Sequence, residues 1–396
     1  MPADVTIIGA GLAGLACARE LIRRGVHVDL VEAADRPGGR VRTDSHMGFL
    51  LDHGFQVLLT AYPECRKALD YAALELKTLY PGAMVWFESK FHRIADPWRH
   101  PVDAVASLRS PIGHFMDKVR IASLRDSVRQ STVENLFERP EYSTLTALRS
   151  RGFSGAMIDR FFRPFFGGIF LERELDTSSH MFEFVFRMFS EGDTALPAKG
   201  MEAIGRQLAW GVPMRLNTRV SNFGDLVSQA ESQAIVVATE GAEAARLMGT
   251  PPPTKWKSVQ CFYFAAEVAP MNDPIVILDG EGRGPVNNFC VVSNVAPSYA
   301  PAGASLLSAS VIGQATEKQV LEHMELWFGP QVKRWLHLRT YQIPQAQPDQ
   351  SRLPKQERPV RIRKGLYVCG DHVETASLNG AIHSGKRAAE AVLADF

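Results

Sequence analysis

A strand, a glycine turn and a helix open the chain, and their order restricts the fold more than any other feature. Val5, Ile7 and Ile8 form a short β-branched run of the kind buried on both faces of a parallel sheet. Leu12, Leu15, Ala16, Leu21 and Ile22 then recur at helical spacing, and Gly25 ends that helix. His27–Glu32 reads as a second apolar strand, which completes a βαβ unit. Between strand and helix, Gly9, Gly11 and Gly14 form G-x-G-x-x-G. The first glycine permits a tight turn, the second lets a pyrophosphate approach the backbone, and the third lets the helix pack close to the strand. The helix N-terminus offers unpaired N–H groups to phosphates. Glu32, 18 residues beyond Gly14, can accept both hydroxyls of an adenosine ribose and would repel a 2′-phosphate.

Bulk properties narrow the class further. A chain of 396 residues predicts about two domains, or one large discontinuous one. Lys+Arg 44 against Asp+Glu 43 leaves a net charge of +1, so no global field draws in nucleic acid. The five cysteines are scattered and contain no C-x-x-C, which argues against a disulfide framework or a zinc site. No metal is expected. No targeting segment and no run of ~20 uninterrupted apolar residues is visible, so a cytoplasmic protein is expected, with peripheral membrane contact as an option.

Further along, residues from about 86 to 190 read as a helical block punctuated by prolines, rich in Arg and Phe. Residues 214–239 return to strand character, and Pro251–Pro253 looks like a linker. Residues 256–345 hold several strand-like runs followed by a helix with Val320, Met324 and Trp327. The Pro- and Gln-rich stretch 343–359 reads as loop. Leu366–Cys369 reads as a last buried strand and Ala381–Leu393 as a last helix. This order fits two domains that interleave along the chain.

Directly after Glu32 comes Arg36-Pro-Gly-Gly-Arg40, two glycines for backbone contact and two arginines for a diphosphate. The C-terminal part carries Gly365-Leu-Tyr-Val-Cys-Gly-Asp371, then Ala376-Ser-Leu-Asn-Gly-Ala381. With these segments the chain resembles the flavin-containing amine oxidase and phytoene desaturase superfamily, closer to the desaturase-like branch. The resemblance implies an α/β protein in which a glutathione-reductase-like, Rossmann-type FAD-binding domain (1–85, 191–252 and 355–396) is interleaved with an α+β substrate domain (86–190 and 253–354). It implies non-covalent FAD held by Gly9, Gly11, Leu12, Ala13, Gly14, Glu32, Ala33, Arg36, Gly38, Gly39 and Arg40 at the phosphate and ribose end. Gly54, Phe55 and Gln56, within a segment that crosses near the flavin ring, join that set. By the same resemblance, the backbone of Val220 faces the adenine, although the stretch from Val220 to Ile235 is short for the family. Gly370 and Asp371 reach the ribityl chain, and Asn379, Gly380 and Ala381 stand where the last helix begins, near flavin N1. A helix N-terminus there stabilises the negative charge of a reduced flavin.

The aromatic block shapes the substrate reading. Phe161, Phe162, Phe165, Phe166 and Phe170 are followed by Met181, Phe182, Phe184, Val185, Phe186, Met188 and Phe189. Ordinary core accounts for such a pattern, and so does an apolar substrate tunnel or a membrane-dipping face. The leading expectation is an FAD-dependent oxidoreductase that moves hydride from a C–H bond of an apolar, isoprenoid- or carotenoid-like substrate to flavin N5. The alternatives are an amine or amino-acid oxidase, a redox-neutral double-bond isomerase, and a flavoprotein that binds lipid or a partner without turnover. The loop Asp371–Leu378 has no cysteine for a covalent flavin link, and Tyr367 lies inside a strand rather than in an amine clamp. His53, Gln56 and His372 are weak candidates for proton carriers, and Arg163 for a substrate carboxylate; each has a structural explanation as well.

Overall fold

The computed structural model describes the chain except residues 1–2, 104–106, 108–109, 222–223, 225–231, 252–254 and 355–357. Two sheets organise it. The first has six strands in the order Met214–Arg215, Val28–Val31, Val5–Ile8, Ala234–Val237, Leu366–Val368, Arg361–Arg363. All its pairs are parallel except the last, with Val5 opposite both Val28 and Ala234, and Ile235 opposite Leu366. The strand order reverses at Val5–Ile8, so the crevice beyond its C-terminal end, at Gly9, is where such a sheet takes a ligand. The first helix, Leu12–Arg23, packs on the last, Leu378–Asp395, and thereby joins the two ends of the chain.

The second sheet has seven strands in the order Leu336–Pro348, Trp256–Ala266, Ser305–Val311, Val286–Val291, Val276–Asp279, Gly82–Phe87, Lys90–Ala95. Alternation along its strands divides the side chains between two faces. Phe262, Phe264, Phe289, Ala309 and Val311 pack against Val320, Met324 and Trp327 of the helix Glu317–Phe328. The other face carries Val259, Val276, Leu278, Asn288 and Ser310 toward the cavity described below.

Two expectations about local structure need correction. The helical block does not begin at 86: Gly82–Phe87 and Lys90–Ala95 form an antiparallel hairpin that completes the second sheet. Its turn residues Glu88 and Ser89 both adopt positive φ, 50° and 56°. That is the geometry of a tight hairpin turn, here without the Asn-Gly signature that reveals such turns in sequence. The stretch 343–348 is not loop but the end of the strand Leu336–Pro348. Pro344 is tolerated because this strand lies at the sheet edge and its pairing slips between Ile343 and Gln347. The break proposed at 85/86 falls inside a strand, and those at 252/253 and 354/355, with the 251–253 linker, touch residues outside the described ones. The stretch between Val220 and Ile235 is mostly outside them as well.

Candidate functional site

The glycine turn is built to leave space on one side and none on the other. A Cβ added at Gly14 would stand 2.0 Å from the carbonyl oxygen of Gly9, so the helix can lie on the strand only with glycine here. A Cβ at Gly11 would meet nothing within 4 Å, because Gly11 faces open cavity. Gly38 sits beside it, its N–H donating to the Ala10 carbonyl at 2.8 Å. Glu32 closes the same corner: the N–H groups of Ala10 and Ala34 donate to its two carboxylate oxygens at 2.6 and 2.8 Å. Each oxygen keeps a lone pair for a further donor such as a ribose hydroxyl. The turn, the open face at Gly11 and the anchored carboxylate therefore fit an adenosine diphosphate.

A cavity of about 1030 Å³ runs on from this corner. Gly9, Gly11, Leu12 and Ala13 line it from the first turn, and Glu32, Ala33, Gly38, Gly39 and Arg40 from the second strand and the loop after it. His53, Gly54, Phe55 and Gln56 line it from the loop after the strand Phe49–Asp52. Val220, Gly370, Asp371 and Ala381 complete the set that the sequence singled out. Arg40 and Asp371 meet across the chain: the guanidinium donates to the carboxylate at 2.6 Å and to the Ala346 carbonyl at 2.9 Å. Ser377 caps the last helix by accepting the N–H of Gly380 at 2.9 Å.

Six of the sequence candidates do not line the cavity. Gly14 serves packing, as described. Arg36 is held by Asp44 and, at 3.3 Å, by Glu202. Asn379 accepts the N–H of Glu64 at 2.9 Å, and Gly380 packs on Thr375. Arg163 pairs with Asp159 and donates to the Arg173 carbonyl, so it is not turned toward a substrate. His372 is buried away from the cavity, and burial pushes its imidazole below the ordinary value toward the neutral form.

The two proton-carrier candidates that do line the wall, His53 and Gln56, are tied to it. His53 meets Asp44 at 3.0 Å and tilts against the Tyr341 ring. Although burial works in the other direction, hydrogen bonds from His53 and Tyr341 hold the Asp44 carboxyl well below the usual carboxylate range. Gln56 donates to the carbonyls of Arg40 and His53 at 2.9 and 2.8 Å, which fixes the loop between them. None of the five cysteines lines the cavity. Burial pushes the thiols of Cys65, Cys290 and Cys369 up to about 12 and that of Cys261 to about 11.

Beyond His53–Gln56 the walls are largely apolar. The phenylalanines divide between the two roles that the sequence left open. Phe162, Phe182 and Phe184 are core, whereas Phe161, Phe165, Phe186 and Phe189 line the cavity. Sequence reasoning missed four residues there. Asn288 and Ser310 are polar residues of the sheet face and lie opposite one another in the strand pair. Only the strand register places them together. Trp98 and Arg125 line the wall from the turn after the hairpin and from the helix Phe115–Gln130, and the guanidinium stacks on the indole at 4.2 Å. Among the described residues no cluster of three His, Cys, Asp or Glu could hold a metal, and no helix is long and apolar enough to cross a membrane.

A family model for flavin containing amine oxidoreductases matches residues 12–393. Among curated proteins, protoporphyrinogen oxidase 2 (chloroplastic/mitochondrial) of Arabidopsis thaliana is 26% identical over 164 residues, 41% of this chain and 32% of that protein. Phytoene dehydrogenase of Streptomyces griseus is 25% identical over 295 residues, 63% of this chain and 57% of its own. The matches thus span about a third and a little over half of these relatives' lengths. Among solved structures, wild-type putrescine oxidase bound to putrescine aligns over 100% of this chain and 99% of its own, with a TM-score of 0.72 at 17% identity, a likeness of fold alone.

Proposed function

Since the chain belongs to the family of flavin containing amine oxidoreductases and is an enzyme whose cofactor is FAD, we propose that it oxidises an apolar, isoprenoid-like substrate at a C–H bond. One observation carries this reading: a single cavity continues from the glycine turn to a wall of phenylalanines. Bound FAD supplies a two-electron acceptor for hydride. The chain's residues supply the rest. The N-terminus of the helix Leu12–Arg23 and the backbone at Gly11 hold the diphosphate, Glu32 holds the ribose, and Arg40 with Asp371 closes the cofactor in. Phe161, Phe165, Phe186 and Phe189 exclude water from the reacting end and orient an apolar molecule by contact area. The relatives' names, phytoene dehydrogenase and protoporphyrinogen oxidase, agree with an apolar substrate.

Anaerobic mixing with linear polyene precursors should bleach the flavin absorption band within the turnover time. Bleaching by a panel of primary amines, with none by any apolar candidate, would replace this reading with an amine oxidase.

Cofactor retention tests the ribose assignment separately. Glu32→Ala is expected to weaken FAD binding roughly tenfold or more, because a charge-assisted hydrogen bond is worth about 1.5–3 kcal/mol. Titration of the apoprotein with FAD reads this directly. An unchanged Kd would remove Glu32 from the site.

A further inference from the structure

Four arginines line the cavity: Arg40, Arg99, Arg125 and Arg219. Three are neutralised by the protein. Arg40 pairs with Asp371 at 2.6 Å, Arg99 with Asp193 at 2.8 Å, and Arg219 with Glu243 at 3.8 Å. Arg99 also donates to the carbonyl of Gly192 at 2.6 Å and lies 3.6 Å from Asp96. Arg125 differs. Among the described residues no carboxylate lies within ion-pair distance of it, and its buried Nε finds no hydrogen-bond partner. It stacks on the face of Trp98.

The surroundings do not make up for this. Burial pushes the Arg125 guanidinium below its ordinary value. The neighbouring Arg129 and Arg99 add to that effect, while Asp96 and Asp126 oppose it from farther away. A half-buried cation without a partner is costly and gains most from a ligand that brings the missing charge. Trp98 is 44% exposed yet belongs to the lining, so the guanidinium stands where the apolar wall reaches solvent. Its planar fork suits a carboxylate, which it can engage at two oxygens.

We propose that Arg125 is an anion-binding subsite at the rim of the cavity, and that the substrate is an amphiphile whose apolar body enters while a terminal carboxylate pairs with this guanidinium. The inference rests on the cavity being an apolar substrate chamber, and it narrows the substrate class from hydrocarbon to apolar acid. Arg125 acts here as a specificity-determining residue.

The test uses the FAD-loaded full chain and a pair of fluorescent probes, cis-parinaric acid and its methyl ester, which share one apolar body. The unaltered protein should bind the acid roughly tenfold more tightly than the ester, the factor carried by one charge-assisted contact. Added salt should erode that advantage. Arg125→Gln should weaken the acid to the level of the ester while leaving ester binding and flavin content unchanged, and Arg125→Lys should restore part of the difference. Equal binding of acid and ester by the unaltered protein, or an acid preference that survives Arg125→Gln, overturns the subsite and leaves the chamber standing. If neither probe binds, chamber and subsite both fall.

Discussion

Replacing Gly385 by leucine is expected to leave little folded protein, and none that retains FAD. Gly385 lies where the last helix crosses the first, and a Cβ there would stand 2.1 Å from the carbonyl oxygen of Ala13 and 3.0 Å from the Ala16 side chain. The near neighbour is backbone, so nothing can rotate aside. The helices must separate, and overpacking of this kind costs about 3 kcal/mol or more. The first helix also carries the glycine turn at its N-terminus, so its displacement disturbs the phosphate corner as well. Gly155→Ala is the control, since a Cβ at Gly155 meets nothing within 4 Å. The ratio of flavin to protein absorbance after purification and the thermal unfolding midpoint check both variants. A Gly385→Leu protein with full flavin and an unshifted midpoint would show that the two chain ends do not need this contact.

Asp371→Ala should weaken FAD binding with a milder effect on the fold. Asp371 lies 331 residues from Arg40 in the chain and joins it at 2.6 Å. Burial acts against the Arg40 guanidinium, and the Asp371 carboxylate more than offsets it. Without that carboxylate, Arg40 keeps the Ala346 carbonyl but loses its charged partner. Hydrogen bonds to charged groups are worth about 1.5–3 kcal/mol, which is roughly ten- to a hundredfold in Kd. Asp371→Asn should fall between the alanine variant and the unaltered protein, because it keeps an acceptor and drops the charge. Equilibrium titration of the three apoproteins with FAD, followed by quenching of free flavin fluorescence, orders them. If Asp371→Ala binds FAD as tightly as the parent, the bridge between the chain ends plays no part in holding the cofactor.

Most of the glycine-turn end of the cavity was legible from residue types because its requirements are local. A pyrophosphate needs bare backbone, so glycines at fixed offsets announce it. The packing role read for Gly14 agrees with the 2.0 Å approach to Gly9. Arg36 shows the limit of such reading. It stands in the same short segment as Arg40 and has the same charge, yet it turns to Asp44 and Glu202 while Arg40 turns to the cavity. The hairpin at 82–95 escaped notice because its turn is carried by Glu88 and Ser89 rather than by glycine or asparagine.

The sequence by itself determined the opening βαβ unit, the buried strands of the parallel sheet and the last strand and helix that join them. Each follows from short-range rules of sterics, backbone freedom and burial period. Tertiary structure alone decided which phenylalanines became core and which became wall, that Asn288 and Ser310 share one face of the sheet, and that Arg125 lacks, among the described residues, the carboxylate the other lining arginines have. Periodicity reports which side of an element is apolar. Whether that side meets another side chain or an open space depends on elements far away in the chain, and no local pattern encodes that distance.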